Sequence, residues 1–387
     1  RRRSHKARKW LRASASGMKL DDLSHQKALE KLVDIMDYDA LRADQIKMRD
    51  KGVYRGIGFV SMVEVTNPSP MFYGVGGAHI ASMDGATVRL DAAGALHVSS
   101  SITEQGQGTN AILGQIAAGV FGVPIERVKV TTGDTATVPY GGGTWASRGA
   151  GIGGEAMLQA AHALKTQVLD VAGVMLQSAV AALDIRNGAV VDAETGAERI
   201  TLDALARTVY YRGNELPSDL KPELIATRHY RVTDFPFVFT NGAMAAHVEV
   251  DTETGFIKVL HFWAVEDCGR VINPMLVDEQ VRGGVVQGIG GALYEECLYS
   301  PEGQLLNTSM ADYIVPMASE MPEITVAHIE TPTKTSILGA KGAGEAGTGG
   351  APAALLNAVN DAVAPLNTSI WQMPMTPERI LKALGKV

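Results

Sequence analysis

Apolar residues recur at helical spacing in two stretches of the chain. Between residues 24 and 48 they predict a helical lead-in with a break at residues 37–39. Between residues 155 and 183 they form a single stripe, which predicts one long helix packed into the core. That stripe consists of Met157, Ala161, Leu164, Val168, Val171 and Met175.

A second pattern, a strand hairpin followed by a helix, occurs twice. The first copy predicts strands within residues 86–101 and a helix that opens at residues 104–108 and continues to residue 121. The second copy predicts strands within residues 247–265 and a helix that carries Gln287. Such units pack helices on one face of a mixed sheet, so the predicted fold class is α+β with repeated strand-hairpin-helix units.

The sequence predicts a division of the chain into three segments. Residues 1–53 combine a basic arm, with seven Lys or Arg among the first twelve residues, and the helical lead-in. Residues 54–235 and 236–387 each hold one copy of the repeat and are predicted as two α+β domains.

Shorter elements follow from glycine and proline. Residues 54–65 predict a strand, and residues 74–77 predict a loop. Pro352 is predicted in the first turn of a helix over residues 353–363, where its missing N–H has no cost. Thr376, followed by a proline, is predicted to start the last short helix.

Composition restricts the class of protein. Hydrophobic residues make up 46% and charged residues 20% of the 387 residues, as in globular proteins. A net charge of -7 argues against a nucleic-acid partner. No apolar run approaches the roughly 18 to 20 residues that cross a bilayer, so a cytoplasmic location is expected. Only Cys268 and Cys297 are present, so this chain offers neither an iron-sulfur nor a zinc cluster.

Four short stretches combine glycine with a few polar side chains. They cover residues 106–108, 141–149, 285–288 and 341–347. Glycine lets a backbone approach a ligand closely and exposes its N–H groups, which suits an anionic cofactor rich in heteroatoms. Any one of them is more simply explained as a turn, but four in one chain favour a shared site.

Glu345 is the most specific candidate for chemistry. It lies among Gly and Ala, with Lys341 as the nearest charged side chain. Burial of such a carboxylate would raise its pKa toward the range of a general base. The alternative, which the residues alone leave open, is a surface carboxylate in a flexible loop.

Several other chemistries are disfavoured. Residues 149–154 and 342–347 match GxGxxG, but neither directly follows a convincing strand, as a dinucleotide fingerprint must. The chain has no phosphate loop, zinc helix or nucleophile elbow motif. His79, His97 and His247 are expected to be structural. Cys268 follows two acidic residues, which disfavour a thiolate, and is expected to be buried and inert.

In order and spacing, the four stretches resemble the molybdenum hydroxylase family of xanthine dehydrogenase and aldehyde oxidoreductase. The similarity runs from about Tyr54 to the end of the chain. Its most specific parts are the segments 104–108 and 139–148, Asn273-Pro274 with Gln287-Gly288, and the segment 341–347.

The resemblance implies a molybdopterin cofactor, usually the cytosine dinucleotide form in similar bacterial proteins, with a molybdenum that protein side chains do not ligate directly. It implies that Glu345 lies beside the metal and accepts a proton as oxygen from water attacks an electron-poor carbon. The cofactor-binding residues that it implies are Gly106, Gln107, Gly108, Ala146, Ser147, Arg148, Gln287, Lys341 and Gly344.

The chain departs from the family in its length. Family large subunits are about twice as long, and their first half supplies a Phe- and Gly-rich loop over the metal. That amino-terminal half is therefore expected on a separate chain, or this chain is an incomplete fragment. Iron-sulfur clusters and FAD are expected on further partner chains.

Three functions are consistent with these observations. The first is the cofactor-binding part of a hydroxylase that oxidises an aromatic N-heterocycle or aldehyde. The second is a non-catalytic or incomplete fragment of such a subunit, which metal analysis would distinguish. The third, a nicotinamide-dependent dehydrogenase, depends on weak glycine motifs, and tight binding of NADH would favour it.

Overall fold

A computed structural model describes residues 20–77, 79–233 and 238–387 of the chain. The basic arm therefore lies outside the described residues. The helices are α1 (His25–Ile35), α2 (Tyr38–Arg49), α3 (Thr109–Phe121), α4 (Glu155–Leu176), α5 (Leu202–Tyr211), α6 (Pro274–Leu293), α7 (Ala346–Val363) and α8 (Pro377–Ala383). The strands are β1 (Tyr54–Thr66), β2 (Met83–Leu90), β3 (Leu96–Ser100), β4 (Val128–Thr132), β5 (Leu183–Arg186), β6 (Ala189–Asp192), β7 (Glu198–Thr201), β8 (Ile225–Arg231), β9 (Val238–Val250), β10 (Ile257–Asp267) and β11 (Glu323–His328).

The described residues divide into two compact units, and the chain passes between them more than once. Unit 1 contains the described residues up to Val65, together with Phe239–Pro332 and Gly342–Val387. Unit 2 contains the described parts of Thr66–Val238 and Thr333–Lys341. These boundaries differ from the predicted ones at residues 53 and 235. The lead-in helices and β1 belong with the carboxy-terminal segment, because β1 is an edge strand of the sheet that α6 and α7 cover and the helices pack on its other face.

Unit 1 is built on a four-stranded sheet in the order β1-β9-β10-β11. One face carries α1, whose Leu32 packs with Ile57, Ala243 and Trp263. The other face carries α6 and α7 over a larger cluster that includes Met244. The sheet is therefore covered on both faces.

Unit 2 contains a second four-stranded sheet, in the order β4-β3-β2-β8, and a three-stranded sheet, β5-β6-β7. Helices α3 and α4 pack against the four-stranded sheet. The predicted α+β class is confirmed. No helix within the described ranges is long and apolar enough to cross a membrane.

The predicted internal repeat is present and extends one strand further than predicted. β2 and β3 form an antiparallel hairpin followed by α3, and β9 and β10 form one followed by α6. In both copies the next strand returns parallel to the second hairpin strand, as β4 beside β3 and β11 beside β10. Each helix therefore connects two parallel neighbouring strands, which places the loops before α3 and α6 at strand ends.

Two predicted helix bounds were wrong. The long helix ends at Leu176 rather than near residue 183, because Gln177 takes a left-handed conformation and the next apolar residues form β5. Pro352 lies inside α7, which begins six residues earlier at Ala346. Close packing of the first turns of α7 against α6 stabilises the helix through the proline, at a site where propensity alone predicts an end.

Candidate functional site

The first glycine-rich stretch lies in the loop of residues 103–108, where Glu104 accepts hydrogen bonds from backbone N–H groups of the same loop. The Glu104 carboxylate accepts hydrogen bonds from the backbone N–H groups of Gly106 at 2.9 Å, Gly108 at 3.1 Å and Asn110 at 2.8 Å. The Gln107 side chain folds back, accepting from Gln105 N at 2.6 Å and donating to the Thr103 carbonyl at 3.1 Å. Sequence reasoning placed Glu104 in the motif without giving it a role, and its spacing before the N terminus of α3 was the available signal.

Glu104 is expected to make this loop sensitive to acid. Hydrogen bonds from the backbone N–H groups lower its pKa against the opposing effect of burial, which is the largest single contribution. Its stabilising contribution is therefore present above the unfolded pKa of about 4.3 and is lost as pH falls through the lower folded pKa.

We expect Glu104→Gln to lower the unfolding free energy by about 1 kcal/mol at neutral pH, as for a lost helix cap. Urea unfolding should show the two proteins converging as the pH falls below the lowered folded pKa of Glu104, where both side chains are neutral. A difference independent of pH would contradict this role.

The second stretch, residues 141–149, is held by a buried ion pair. Arg148 pairs with Asp84, and both side chains are fully buried. The guanidinium also donates to the carbonyls of Ala81 at 2.6 Å and Met83 at 2.9 Å. Burial raises the pKa of Asp84, and the attraction of Arg148 opposes that increase. The pair fixes the loop to the start of β2.

Asp84 also bonds the loop directly. Its Oδ1 accepts from Ser101 Oγ at 2.7 Å and from the N–H groups of Gly142 at 3.0 Å and Gly143 at 3.3 Å. A Cβ on Gly142 would lie 2.5 Å from the Arg148 guanidinium. Glycine is therefore required there by packing inside the protein. Sequence reasoning missed Asp84, since nothing in its neighbourhood marks a buried acid.

Arg148, which was predicted to bind the cofactor, supports the loop through its side chain. It is 0% exposed, and its guanidinium lies 4.9 Å from the centre of the Trp145 ring. Its hydrogen-bonding groups face the interior of unit 2, because Asp84 and two carbonyls need a cation there.

Ala146 and Ser147, both predicted site residues, have an uncommon backbone conformation. Their φ angles are +48° and +49°. Two consecutive residues with side chains in this region are strained, and such strain is found mainly at functional sites. The same loop is joined to the first stretch, because the Thr144 hydroxyl accepts from Thr103 N and donates to the Thr103 carbonyl. The structure therefore brings residues 103–108 and 141–149 together within unit 2.

The third and fourth stretches meet in unit 1, where α6 and α7 approach closely. A Cβ on Gly284 would lie 2.9 Å from Gly347 Cα, so only glycine permits this distance. Thr348 Oγ1 donates to Gln287 Oε1 at 3.1 Å. Gln280 Nε2 donates to the Gly344 carbonyl at 2.7 Å. The predicted residues Gln287 and Gly344 are thus linked to each other through the two helices.

A cavity of about 440 Å³ opens beside this crossing. Gln287 and Gly344 line it, together with Gln280 and Glu295. Glu295 is held by the hydroxyl of Tyr313, which donates to Oε2 at 2.7 Å. The cavity therefore presents amide and carboxylate groups, in addition to backbone, to a ligand.

Glu345 immediately precedes α7, but it is exposed rather than buried. The expectation that Glu345 is buried was wrong for this chain. The residues that follow it, Ala346 and Gly347, take the buried positions because they pack against α6. The small residues around Glu345 serve the helix crossing and leave its carboxylate toward solvent.

The segment before that loop is anchored in unit 2. Glu155, buried at the start of α4, accepts from Leu338 N at 2.8 Å. Tyr230 donates from its hydroxyl to the Thr335 carbonyl at 2.7 Å. Lys341, a predicted site residue, ends the segment and is 2% exposed. The predicted residues thus fall into two sets, one in unit 2 up to Lys341 and one in unit 1 with Gln287, Gly344 and Glu345.

The structure bears on two chemistries that the sequence disfavours, a reactive thiol at Cys268 and a dinucleotide fingerprint at residues 149–154. Cys268 is 3% exposed, so its expected burial is confirmed. Burial raises the pKa of its thiol to about 12, with a further contribution from Glu266 and Asp267. Gly149–Gly154 forms a π-helical turn that leads into α4, with no strand directly before it. A Cβ on Gly151 would lie 2.0 Å from Asn67 Nδ2, so glycine is needed there for packing.

Comparison with known proteins shows which family the chain resembles over most of its length. Residues 31–322 match the family model of the molybdopterin cofactor-binding domain. The large subunit of nicotine 6-hydroxylase from Paenarthrobacter nicotinovorans is 36% identical over 382 residues, which are 99% of this chain and 47% of that protein. The carbon monoxide dehydrogenase large chain of Hydrogenophaga pseudoflava is 32% identical over 95% of this chain and 46% of its own length.

Solved structures of similar proteins have the same fold as this chain. Quinoline 2-oxidoreductase from Pseudomonas putida 86 superposes with a TM-score of 0.89 at 36% identity, over 97% of this chain and 47% of that one. The chain therefore spans about half the length of the relatives that it matches. It belongs to the molybdenum hydroxylase family and corresponds to the carboxy-terminal half of the molybdopterin-binding large subunit.

Proposed function

We propose that this chain is the cofactor-binding part of an oxidoreductase that hydroxylates an aromatic N-heterocycle, with water as the oxygen source. The observation that carries the proposal is 36% identity over almost the whole chain to a nicotine 6-hydroxylase subunit. Quinoline 2-oxidoreductase is equally similar. The aldehyde oxidoreductase from Desulfovibrio gigas shares 22% identity, which supports the fold alone, so an aldehyde is the second choice of substrate.

The proposed reaction replaces a C–H bond by C–OH. The substrate carbon and one water together lose two electrons and two protons. When bound, the molybdenum cofactor supplies the electron sink and activates the oxygen that comes from water. The tasks left to this chain are to hold the cofactor, to orient the substrate and to accept protons.

The residues of unit 2 fit a ligand that approaches the backbone. Gly106 has a φ of +95°, and no atom lies within 4 Å of the position its Cβ would take. Ala146 and Ser147 hold a strained turn in the adjoining loop. We infer that Gly106, Gln107 and Gly108 contribute a backbone surface that is open at Gly106. The Glu104 carboxylate holds this loop in place by accepting from the N–H groups of the two glycines.

Arg148 and Lys341 have a different proposed role. Both side chains are buried, at 0% and 2% exposure. We infer that they position the loops that precede or follow them, and that Ala146 and Ser147 make the direct contacts with the cofactor.

The residues of unit 1 fit a polar ligand in the cavity beside α6 and α7. Gln287 contributes an amide, and Gly344 contributes backbone that is already oriented by Gln280. We infer that Glu345, the next residue, is the base that accepts a proton during oxygen transfer. A carboxylate in an exposed position needs a covering surface to become an efficient base. We infer that the amino-terminal half of the large subunit supplies that surface.

The finer expectations belong to the assembled enzyme. We propose the cytosine dinucleotide form of molybdopterin, an amino-terminal half on a separate chain, and iron-sulfur and FAD partners that remove the electrons. A cytoplasmic location is proposed with them.

Co-expression with an amino-terminal half from a relative tests the proposal. We expect the purified complex to contain molybdenum, and mild acid hydrolysis of it to release cytidine monophosphate. It should oxidise an N-heterocycle with an artificial electron acceptor. A stable complex without molybdenum would favour the alternative, a non-catalytic or incomplete fragment, and tight NADH binding by such a complex would favour a nicotinamide enzyme.

A further inference from the structure

The central strands of unit 1 hold a carboxylic acid that the proposed site does not use. Glu266, near the end of β10, is 0% exposed. Neither of its carboxyl oxygens has a hydrogen-bond partner among the described residues. Its side chain extends over Gly242 of β9, where a Cβ would lie 2.4 Å from Oε2. The glycine thus leaves room for a carboxyl group in the interior.

The neighbour of Glu266 on β11 is His328, which also has a buried hydrogen-bonding atom without a partner among the described residues. His328 of β11 is in register with Glu266, so both side chains point to the same face of the sheet. His328 Nδ1 is buried and has no partner among the described residues. Its Nε2 lies 2.5 Å from Asp278 Oδ1 on α6. The side chains of His328 and Asp278 are 18% and 32% exposed, so the outer end of this row reaches solvent.

The inner end of the row lies under the first turn of α7. A Cβ on Gly350 would lie 2.6 Å from Met244 Sδ, and one on Gly349 would lie 3.7 Å from Met62 Sδ. Met244 lies two residues beyond Gly242 on the same face of β9, and α7 runs away from that end of the sheet, since Gly58 meets Ala354. Glu345 directly precedes α7, at the end of the helix toward which β9 runs from Met244 to Gly242.

The charges around Glu266 favour its neutral form. Burial raises its pKa well above the ordinary value, and the carboxylates of Glu64 on β1 and Asp267 on β10 add to that increase. The charged groups near His328 are Asp278 on α6 and Lys31 on α1, whose Nζ donates to the His328 carbonyl at 2.8 Å. No group of three or more His, Cys, Asp or Glu within the described ranges is placed to hold a metal ion.

We propose that Glu266, His328 and Asp278 form a proton relay, completed by one buried water between Glu266 and His328 Nδ1, that leads from the Glu345 end of α7 to the surface of α6. Buried polar atoms are almost always hydrogen-bonded, and a water is the usual partner where two of them face each other without contact. Neutral Glu266 donates a proton through the water to His328 Nδ1. His328 releases the proton on Nε2 to Asp278, and Glu266 takes a new proton from the site.

The inference rests on the proposed function, because that reaction releases two protons per turnover close to Glu345. The electrons leave through partner chains, and the protons need a path of their own. Glu266 is a positioning and relay group in this account and touches neither substrate nor cofactor.

Infrared spectroscopy tests the relay without any cofactor. The carbonyl stretch of a protonated carboxylic acid should persist in the purified chain at neutral pH, and Glu266→Gln should remove it. Glu323→Gln, an exposed acid on β11, is the matched control and should leave the band unchanged. Thermal unfolding should confirm that all three proteins fold. Absence of the band in the wild-type chain would overturn the proposal whatever the cofactor content.

Turnover of the assembled enzyme tests the path itself. We expect Glu266→Gln and His328→Gln to lower kcat by about tenfold with KM unchanged and to increase the solvent deuterium isotope effect. Molybdenum content should equal that of the wild type. Unchanged kcat and isotope effect in molybdenum-replete variants would overturn the relay alone. Absence of molybdenum from the wild-type complex would instead overturn the proposed function.

Discussion

Replacing Glu345 by Gln should abolish turnover of the assembled enzyme while leaving its molybdenum content near that of the wild type. Removal of a general base lowers the rate by about 10²–10⁴-fold. Gln keeps the size of Glu at the residue that precedes α7, so the helix crossing at Gly284 and Gly347 should persist. The contacts proposed to hold the cofactor come from other residues, so binding should be unaffected. Steady-state assays and metal analysis on the same preparation measure both quantities.

The control for this substitution is Glu279→Gln. Glu279 lies on α6, is exposed, and pairs with Arg282 at the surface. The Glu279→Gln substitution removes the same charge from a helix that contributes to the candidate site, and we expect the activity of the wild type. Activity within a factor of about two of wild type in Glu345→Gln would refute the proposed base, since a base contributes far more than that.

Replacing Arg148 by Met should lower the free energy of unfolding by about 3–5 kcal/mol, because it leaves the Asp84 carboxylate buried without its cation. The two contacts of Asp84 with the loop, at Gly142 and Gly143, would be weakened together, so the turn at Ala146 and Ser147 should lose its conformation as well. The measurement is urea or thermal unfolding of the purified chain, followed by its cofactor content in the assembled enzyme.

A double variant separates the charge from the packing. Asp84→Asn with Arg148→Met removes both charges, and we expect it to be more stable than Arg148→Met alone. Arg186→Met is the control at the surface, where the pair with Asp184 is half exposed and contributes about 1 kcal/mol or less. Equal losses in the buried and surface variants would show that Arg148 is not an interior anchor.

Local patterns in the sequence were sufficient to predict many of the helices and strands. The break between α1 and α2, the two hairpins with their helices, and the Thr376 cap were predicted because period, turn residues and caps act over a few neighbours. The bounds of α4 and α7 were not, because packing against other elements decided them. Gln177 ended one helix early, and contact with α6 extended the other through Pro352.

In the candidate site, too, the sequence identified the residues, and the tertiary structure decided their surroundings. Its glycine-rich stretches and Glu345 were identified as residues from their order and spacing along the chain. Their environments were not, because burial depends on what the rest of the chain places around them. Arg148 was expected beside a ligand and is enclosed with Asp84, while Glu345 was expected to be buried and is exposed.

The sequence by itself determined the family, the α+β class, the repeat and the set of residues available for chemistry, since each of these is a pattern of residue types along the chain. Only the tertiary structure decided which glycines serve packing, which polar groups hold the loops, and that Glu266 and His328 are neighbours. Those two residues are far apart in sequence and come together through the pairing of β10 with β11. Non-local pairing of that kind leaves no local signature, because it is set by hydrogen bonds between strands and not by adjacent residues.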